Sequence, residues 1–252
     1  MNSSEALFKY ILRLGDNALI HGHRLSEWCS KGPTLEEDLA LANIALDNIG
    51  RAQSFLKYAA EIEGKGNNED TLAYRRSERM FYNNLIVELP NGDFAFTIAK
   101  MLLISAFEKE LFFALGKCAD TTIAGISLKA LKESKYHFTH SRDWCIRLGK
   151  GTDVSKNKIQ NALNELWMYT GELFEMDDID KSLLANNTAV NFNDIKANWN
   201  TNIENIIQQA GLSIPKTEYM QTGGKKGIHT EHLGFILAEM QYLQRVYPDA
   251  TW

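Results

Sequence analysis

A chain of 252 residues is long enough to bury a sizeable core within one domain. Apolar residues at 44% and charged residues at 23% are the proportions of an ordinary globular protein, which excludes disordered, fibrous and membrane-embedded classes. A formal net charge of −5 argues against a general nucleic-acid binder, whose affinity comes from neutralising phosphates with basic side chains.

The four prolines, Pro33, Pro90, Pro215 and Pro248, divide the chain into long stretches free of helix breakers. Residues 3–30 form the first expected helix. After Gly32-Pro33, the run Thr34-Leu35-Glu36-Glu37 is a capping box that starts a second one. From there Leu35, Leu39, Ala42, Leu46, Ile49, Gln53, Leu56 and Ala60 follow steps of four and three, the spacing of a packed helical seam. This helix ends near Glu63-Gly64, a rod of about 45 Å at the usual rise per residue.

A shorter helix is expected over 71–87, and Pro90-Asn91-Gly92-Asp93 is a turn into an apolar helix running to Cys118. Its residues Met101-Leu102-Leu103-Ile104 and Leu111-Phe112-Phe113 spread around more than one face, which calls for cover on two sides, from a partner or from a thick core. The helix over 121–148 has the seam Ala124, Ser127, Leu131, Ser134, Phe138, Ser141, Cys145 and Leu148, small enough for close approach of a neighbour. Helices over 154–175, 192–210 and 230–247 complete the chain, with a glycine- and lysine-rich loop over 214–228. No strand pattern competes, so the fold class is all-α, a bundle of long helices.

The three cysteines, Cys29, Cys118 and Cys145, form no C-x-x-C pair, so neither a disulfide framework nor a thiolate zinc site is indicated. Residues 1–11 contain Glu5 and Lys9 and lack the pattern of a signal peptide, and the apolar helix after Pro90 is interrupted by Lys100, Glu108, Lys109 and Glu110. A cytoplasmic location with no membrane partner is expected.

Bundles of long helices often hold two irons through a glutamate on each of two helices and Glu-x-x-His on each of two others. None of the six histidines, His21, His23, His137, His140, His229 and His232, has an acid three residues before it. Glu133, His137 and His140 share one helical face and are the nearest approach to a metal site. Imidazoles at such spacing are more often hydrogen-bonded bundle residues, and the second histidine-bearing helix is missing. In Thr222 to His232, Gly223, Gly224, Lys225, Lys226 and His229 precede a helix start, where free N–H groups and the helix dipole favour an anion such as a phosphate of CoA. A solvated loop is the equal alternative. This is not a Walker A loop, and no G-x-S-x-G, G-x-G-x-x-G or H-E-x-x-H motif is present.

Several stretches carry a resemblance: Leu12-Arg13-Leu14-Gly15-Asp16-Asn17, Arg24-Leu25-Ser26-Glu27-Trp28, Asp38-Leu39-Ala40-Leu41-Ala42-Asn43-Ile44, Glu69-Asp70-Thr71-Leu72-Ala73, Pro90-Asn91-Gly92, Gly151-Thr152-Asp153-Val154-Ser155, 222–234, and 237–246. Together they resemble the C-subunit family of bacterial phenylacetyl-CoA epoxidases, over nearly the whole chain. The resemblance implies a ferritin-like bundle of long antiparallel helices within a single domain over 1–252, a core bundle over about 3–175 and a C-terminal helical extension over about 176–252.

It also implies a non-catalytic structural subunit with no catalytic residues and no cofactor of its own. The di-iron centre belongs to the catalytic A-type subunit, a reductase delivers electrons from NADPH, and the complex epoxidises the ring of phenylacetyl-CoA with O2. Expected partners are that catalytic subunit and the other subunits of the complex, with a homodimer when alone. On the ferritin-like ligand pattern, Asp47-x-x-Gly50 and Ser134-x-x-His137 stand where Glu-x-x-His motifs belong, so Asp47, Glu133, His137 and His140 are degenerate ligand-like positions. An independent di-iron oxidase and a CoA-binding module are the competing readings.

Overall fold

The computed structural model describes residues 3–248 and residue 250; positions 1, 2, 249, 251 and 252, the ends of the expected single domain, lie outside it. Eleven α-helices occur among the described residues: α1 (Ser3–Ser26), α2 (Leu35–Glu63), α3 (Glu69–Tyr74), α4 (Leu85–Glu88), α5 (Phe94–Leu115), α6 (Thr121–Gly149), α7 (Asp153–Leu166), α8 (Asp178–Leu184), α9 (Phe192–Gln209), α10 (Glu231–Met240) and α11 (Tyr242–Val246). No strand is present among these residues, so the chain is all-α. The helices group into two compact units, Met1–Pro90 with Gly223–Trp252, and Asn91–Thr222.

In the first unit α1 and α2 pair antiparallel, because Gly15 lies against Leu56 and Gly22 against Ile49. A Cβ on Gly22 would come within 3.2 Å of the Ala45 carbonyl, so only glycine lets the two backbones approach this closely. The ends of α2 are those the sequence specifies. The Thr34 hydroxyl accepts from the Glu37 N–H, and Gly64 closes the helix at φ 66°, a left-handed cap donating to the Ala60 carbonyl.

The buried stripe of α2 runs through Leu41, Ile44, Asn48, Arg51, Phe55 and Ala59. The expected seam is thus corrected: Leu35, Leu39, Leu46 and Gln53 face solvent. Periodicity reports that a stripe exists, but α2 carries two apolar stripes, and packing within the first unit covers only one of them.

Two expected helices are also broken by side chains from elsewhere. In place of a helix over 71–87 the chain forms α3, a short 3-10 turn at Glu78–Met80, and α4. Asp16 on α1 takes the Tyr82 N–H at 2.9 Å and Asn17 takes the Asn84 N–H at 2.9 Å, donors that a continuous helix would need for itself. Likewise the helix expected over 230–247 divides at Gln241, whose buried side chain donates to the Ala73 and Arg76 carbonyls. At the end of α1, i to i−3 bonds from Glu27 to Cys29 unwind the helix before residue 30.

In the second unit α5 is buried on nearly every side, with α6, α7 and α9 packed around it. The chain's own helices thus supply a thick core around Met101–Ile104, Leu111 and Phe112, while Phe113 stays exposed. Of the seam expected on α6, Ser127, Ser134, Phe138, Ser141 and Cys145 are buried, whereas Ala124, Leu131 and Leu148 are half-buried and Ile123 and Ala130 fill the buried stripe instead. Ser105 and Ser141 meet across it at 3.2 Å. Trp199 of α9 donates its indole N–H to the Leu103 carbonyl and meets the Trp167 ring at a tilt and the Phe174 ring edge-on, sealing the other side. The expected helix over 154–175 ends at Leu166 and continues as two 3-10 turns. Each unit thus holds one antiparallel hairpin of long helices, α1/α2 in the first and α5/α6 in the second.

Candidate functional site

The glycine-rich loop ahead of α10 is anchored by one carboxylate that sequence reasoning did not single out. Glu88, at the end of α4, is wholly buried. One carboxylate oxygen accepts from the Thr230 N–H at 2.6 Å and the Thr230 hydroxyl at 2.7 Å. The other accepts from the Asn83 amide and from Nδ1 of His229, both at 2.9 Å. All four lone-pair positions of the carboxylate are filled.

His229 completes the anchor through Nε2, which lies 2.9 Å from the Phe81 carbonyl. A carbonyl only accepts, so the ring donates from Nε2, and the carboxylate favours a second donation from Nδ1. Burial alone would lower the His229 pKa, but the hydrogen bond and charge of Glu88, the Phe81 carbonyl and the charge of Glu78 raise it above its ordinary 6.5. Arg24 reinforces the arrangement from α1, with Nε donating to the Glu88 carbonyl at 2.9 Å and a terminal nitrogen to the His232 carbonyl at 3.3 Å.

The loop that this anchor holds is a tight 3-10 turn, Gly224–Lys226. The N–H groups of Lys226, Gly227 and Ile228 donate back to the Gly223 and Gly224 carbonyls. Gly227 sits at φ 72°, and a Cβ there would stand 2.4 Å from the Arg79 carbonyl, so the turn requires glycine at that point. The helix start offered by the sequence to an outside anion is occupied by Glu88, an internal carboxylate placed where the dipole of α10 favours negative charge. His229 faces that carboxylate with both ring nitrogens engaged. Lys226 is exposed and Lys225 half-buried.

Asp47 is half-buried on α2. Glu133 pairs with Lys129 at 3.8 Å, the buried His137 meets the Tyr136 ring edge-on, and His140 lies against the same ring. Among the described residues no group of three or more His, Cys, Asp or Glu side chains converges as a metal would need. Cys145 is buried, and burial pushes its thiol up to about 12. No helix among the described residues is long and apolar enough to cross a membrane.

The family model described as phenylacetic acid catabolic protein matches residues 1–252. The chain belongs to that family. A curated relative in Escherichia coli (strain K12), the C subunit of 1,2-phenylacetyl-CoA epoxidase, is 52% identical over 246 residues, covering 98% of this chain and 99% of the relative. In this member of the phenylacetic acid catabolic family, the buried polar residues outside the loop also serve as structure. Arg76 and Asp16 form a buried ion pair in the first unit, with the guanidinium 4.1 Å above the Phe81 ring. Neither Glu88 nor Asp16 carries a sequence signal that separates it from a solvated surface acid, since Arg76, His229 and Thr230 lie 60 or more residues from the acid each one bonds.

Proposed function

We propose that this chain is the non-catalytic C subunit of a phenylacetyl-CoA 1,2-epoxidase, and that it pairs with and stabilises the di-iron catalytic subunit. The observation that carries this reading is the match to the Escherichia coli protein at 52% identity across nearly the full length of both chains. The division of labour is supported by the donor geometry. Among the described residues no group of three or more His, Cys, Asp or Glu side chains could hold a metal, and on this reading the irons and the oxygen chemistry belong to the catalytic subunit, with NADPH serving through a reductase. The complex acts in the cytoplasm in aerobic phenylacetate breakdown, and the chain works there as one ferritin-like domain.

Within this reading the turn bearing Gly223, Gly224, Lys225 and Lys226 is the element presented to a partner subunit or to the phosphates of CoA, while His229 holds it in place. The test is co-expression with the catalytic subunit. The expected result is that the catalytic subunit is more soluble and epoxidises phenylacetyl-CoA faster with this chain present, while the chain alone neither retains stoichiometric iron nor turns over substrate. Full activity of the catalytic subunit without it, or stoichiometric iron in this chain lost on Glu133→Ala, would reverse the assignment.

A further inference from the structure

We propose that α11 and the residues after it to Pro248 form a hinged strap, which opens about Gln241 while the rest of the first unit stays folded. Packing gives this segment little hold. None of the five residues of α11 is buried, and Tyr242, Leu243 and Val246 are 60%, 46% and 47% exposed, with Tyr247 just beyond them at 57%. The preceding helix α10 buries Leu233, Ile236 and Leu237, so the apolar hold on the end of the chain stops before the hinge.

Cavities flank the strap on two sides. One of 370 Å³ lies against Tyr242, Arg245 and Val246 and reaches Ser77, Glu78 and Leu237. The other, of 400 Å³, lies against Gln244, Tyr247 and Pro248 and reaches Tyr74 and Arg75. On a helix, positions 242, 245 and 246 point away from positions 244 and 247, so α11 crosses open space as a bar. A helix that belongs to a core is close-packed along its inner face instead.

Hydrogen bonds supply the closure. Gln241 is buried and donates to the Ala73 and Arg76 carbonyls, which fixes the hinge. Beyond it, Arg245 donates to the Arg76 carbonyl at 3.0 Å and Arg75 donates to the Pro248 carbonyl at 2.8 Å. Arg75, Arg245 and Pro248 are exposed, so water takes over these bonds when the strap lifts. Against them stands Gln244, whose side-chain oxygen is buried without a hydrogen-bond partner and reaches water on opening. The bonds exchanged and the acceptor relieved are of the same order, so the closed form is favoured by a narrow margin. A five-residue helix does not persist alone, so the strap unwinds as it lifts and frees the Arg245 and Tyr247 amides from the Gln241 and Leu243 carbonyls. Once open, it bares the Leu237 wall of the groove. The device belongs to the first unit alone, and its failure would leave the proposed role in the epoxidase untouched.

Hydrogen exchange read by mass spectrometry on the full-length chain tests the idea. Amides over 243–247 should exchange at least about tenfold faster than those over 233–240, and trypsin should cut after Arg245 before it cuts within α1 or α2. Arg75→Ala, which removes one tether, should speed exchange over 243–247 by more than about threefold and leave α10 unchanged. Gln244→Leu, which removes the unpaired acceptor, should slow it by more than about fivefold, a direction that damage to the fold does not produce. Equal protection of α10 and α11, an Arg75→Ala variant that exchanges like the wild type, or a Gln244→Leu variant with no slowing would overturn the proposal. So would an Arg75→Ala acceleration that spreads into α10 and α2, since the strap would then be part of the cooperative core.

Discussion

Nδ1 of His229 lies 2.9 Å from a carboxylate oxygen of Glu88, and both side chains are fully shielded from solvent. That pair ties the loop before α10 to the end of α4. An imidazole that donates from both nitrogens is best served by its protonated form. The folded state therefore holds the His229 proton more tightly than the unfolded chain does, for which the ordinary value is 6.5.

The sign of the pH dependence follows. A raised folded pKa contributes stability that is fully present below 6.5 and is lost as pH rises through the higher folded value. Denaturant midpoints measured across this range should fall as pH increases, and His229→Gln should flatten the slope. NMR titration should also show the His229 pKa dropping on Glu88→Gln. An unchanged slope in His229→Gln would show that other groups set the dependence.

The buried Asp16–Arg76 pair is expected to be costly to break from one side. Arg76 donates to Asp16 through both terminal nitrogens and to the Met80 carbonyl at 2.8 Å, while Gln241 and Arg245 donate to its carbonyl. Asp16→Ala leaves a buried guanidinium without its counter-charge and should destabilise the protein by about 3–5 kcal/mol. Chemical denaturation measures the loss, and hydrogen exchange should rise first at the Tyr82 amide, whose acceptor has been removed.

Two glycine substitutions should act in opposite directions. Gly227→Ala places a Cβ 2.4 Å from the Arg79 carbonyl at φ 72° and should cost about 1–3 kcal/mol. Gly125→Ala lies on an exposed face of α6 with nothing within 4 Å and should stabilise by about 0.5–1 kcal/mol through helix propensity. Thermal melts of the two variants against the wild type decide both.

Reversing the lysines of the turn should separate docking from folding. Lys225→Glu with Lys226→Glu is expected to leave helicity and melting close to wild type, since Lys226 is exposed and the turn is held by glycines and by Glu88. Complex formation with the catalytic subunit, or KM for phenylacetyl-CoA, should worsen. Pull-down yield and steady-state kinetics of the co-expressed complex read the two effects separately.

Local chemistry was legible along the chain. The Thr34 cap, the Gly64 stop, the Asp93 start of α5, the small stripe of α6 and the absence of Glu-x-x-His all follow from residues within a few positions of one another. The family was legible too, because whole words of sequence carry it. What the chain by itself could not disclose were choices made between distant residues. Asp16 and Asn17 capture the N–H groups that break the expected helix over 71–87, and packing buries the Leu41 stripe of α2, leaving Leu35, Leu39 and Leu46 outside. Glu88 fills the helix start that the sequence offers to an anion. Periodicity and capping are short-range properties written into consecutive residues. The identity of each buried acceptor's donor, and of the face a helix hides, is fixed only when segments far apart in sequence compete for the same hydrogen bonds and the same apolar surface.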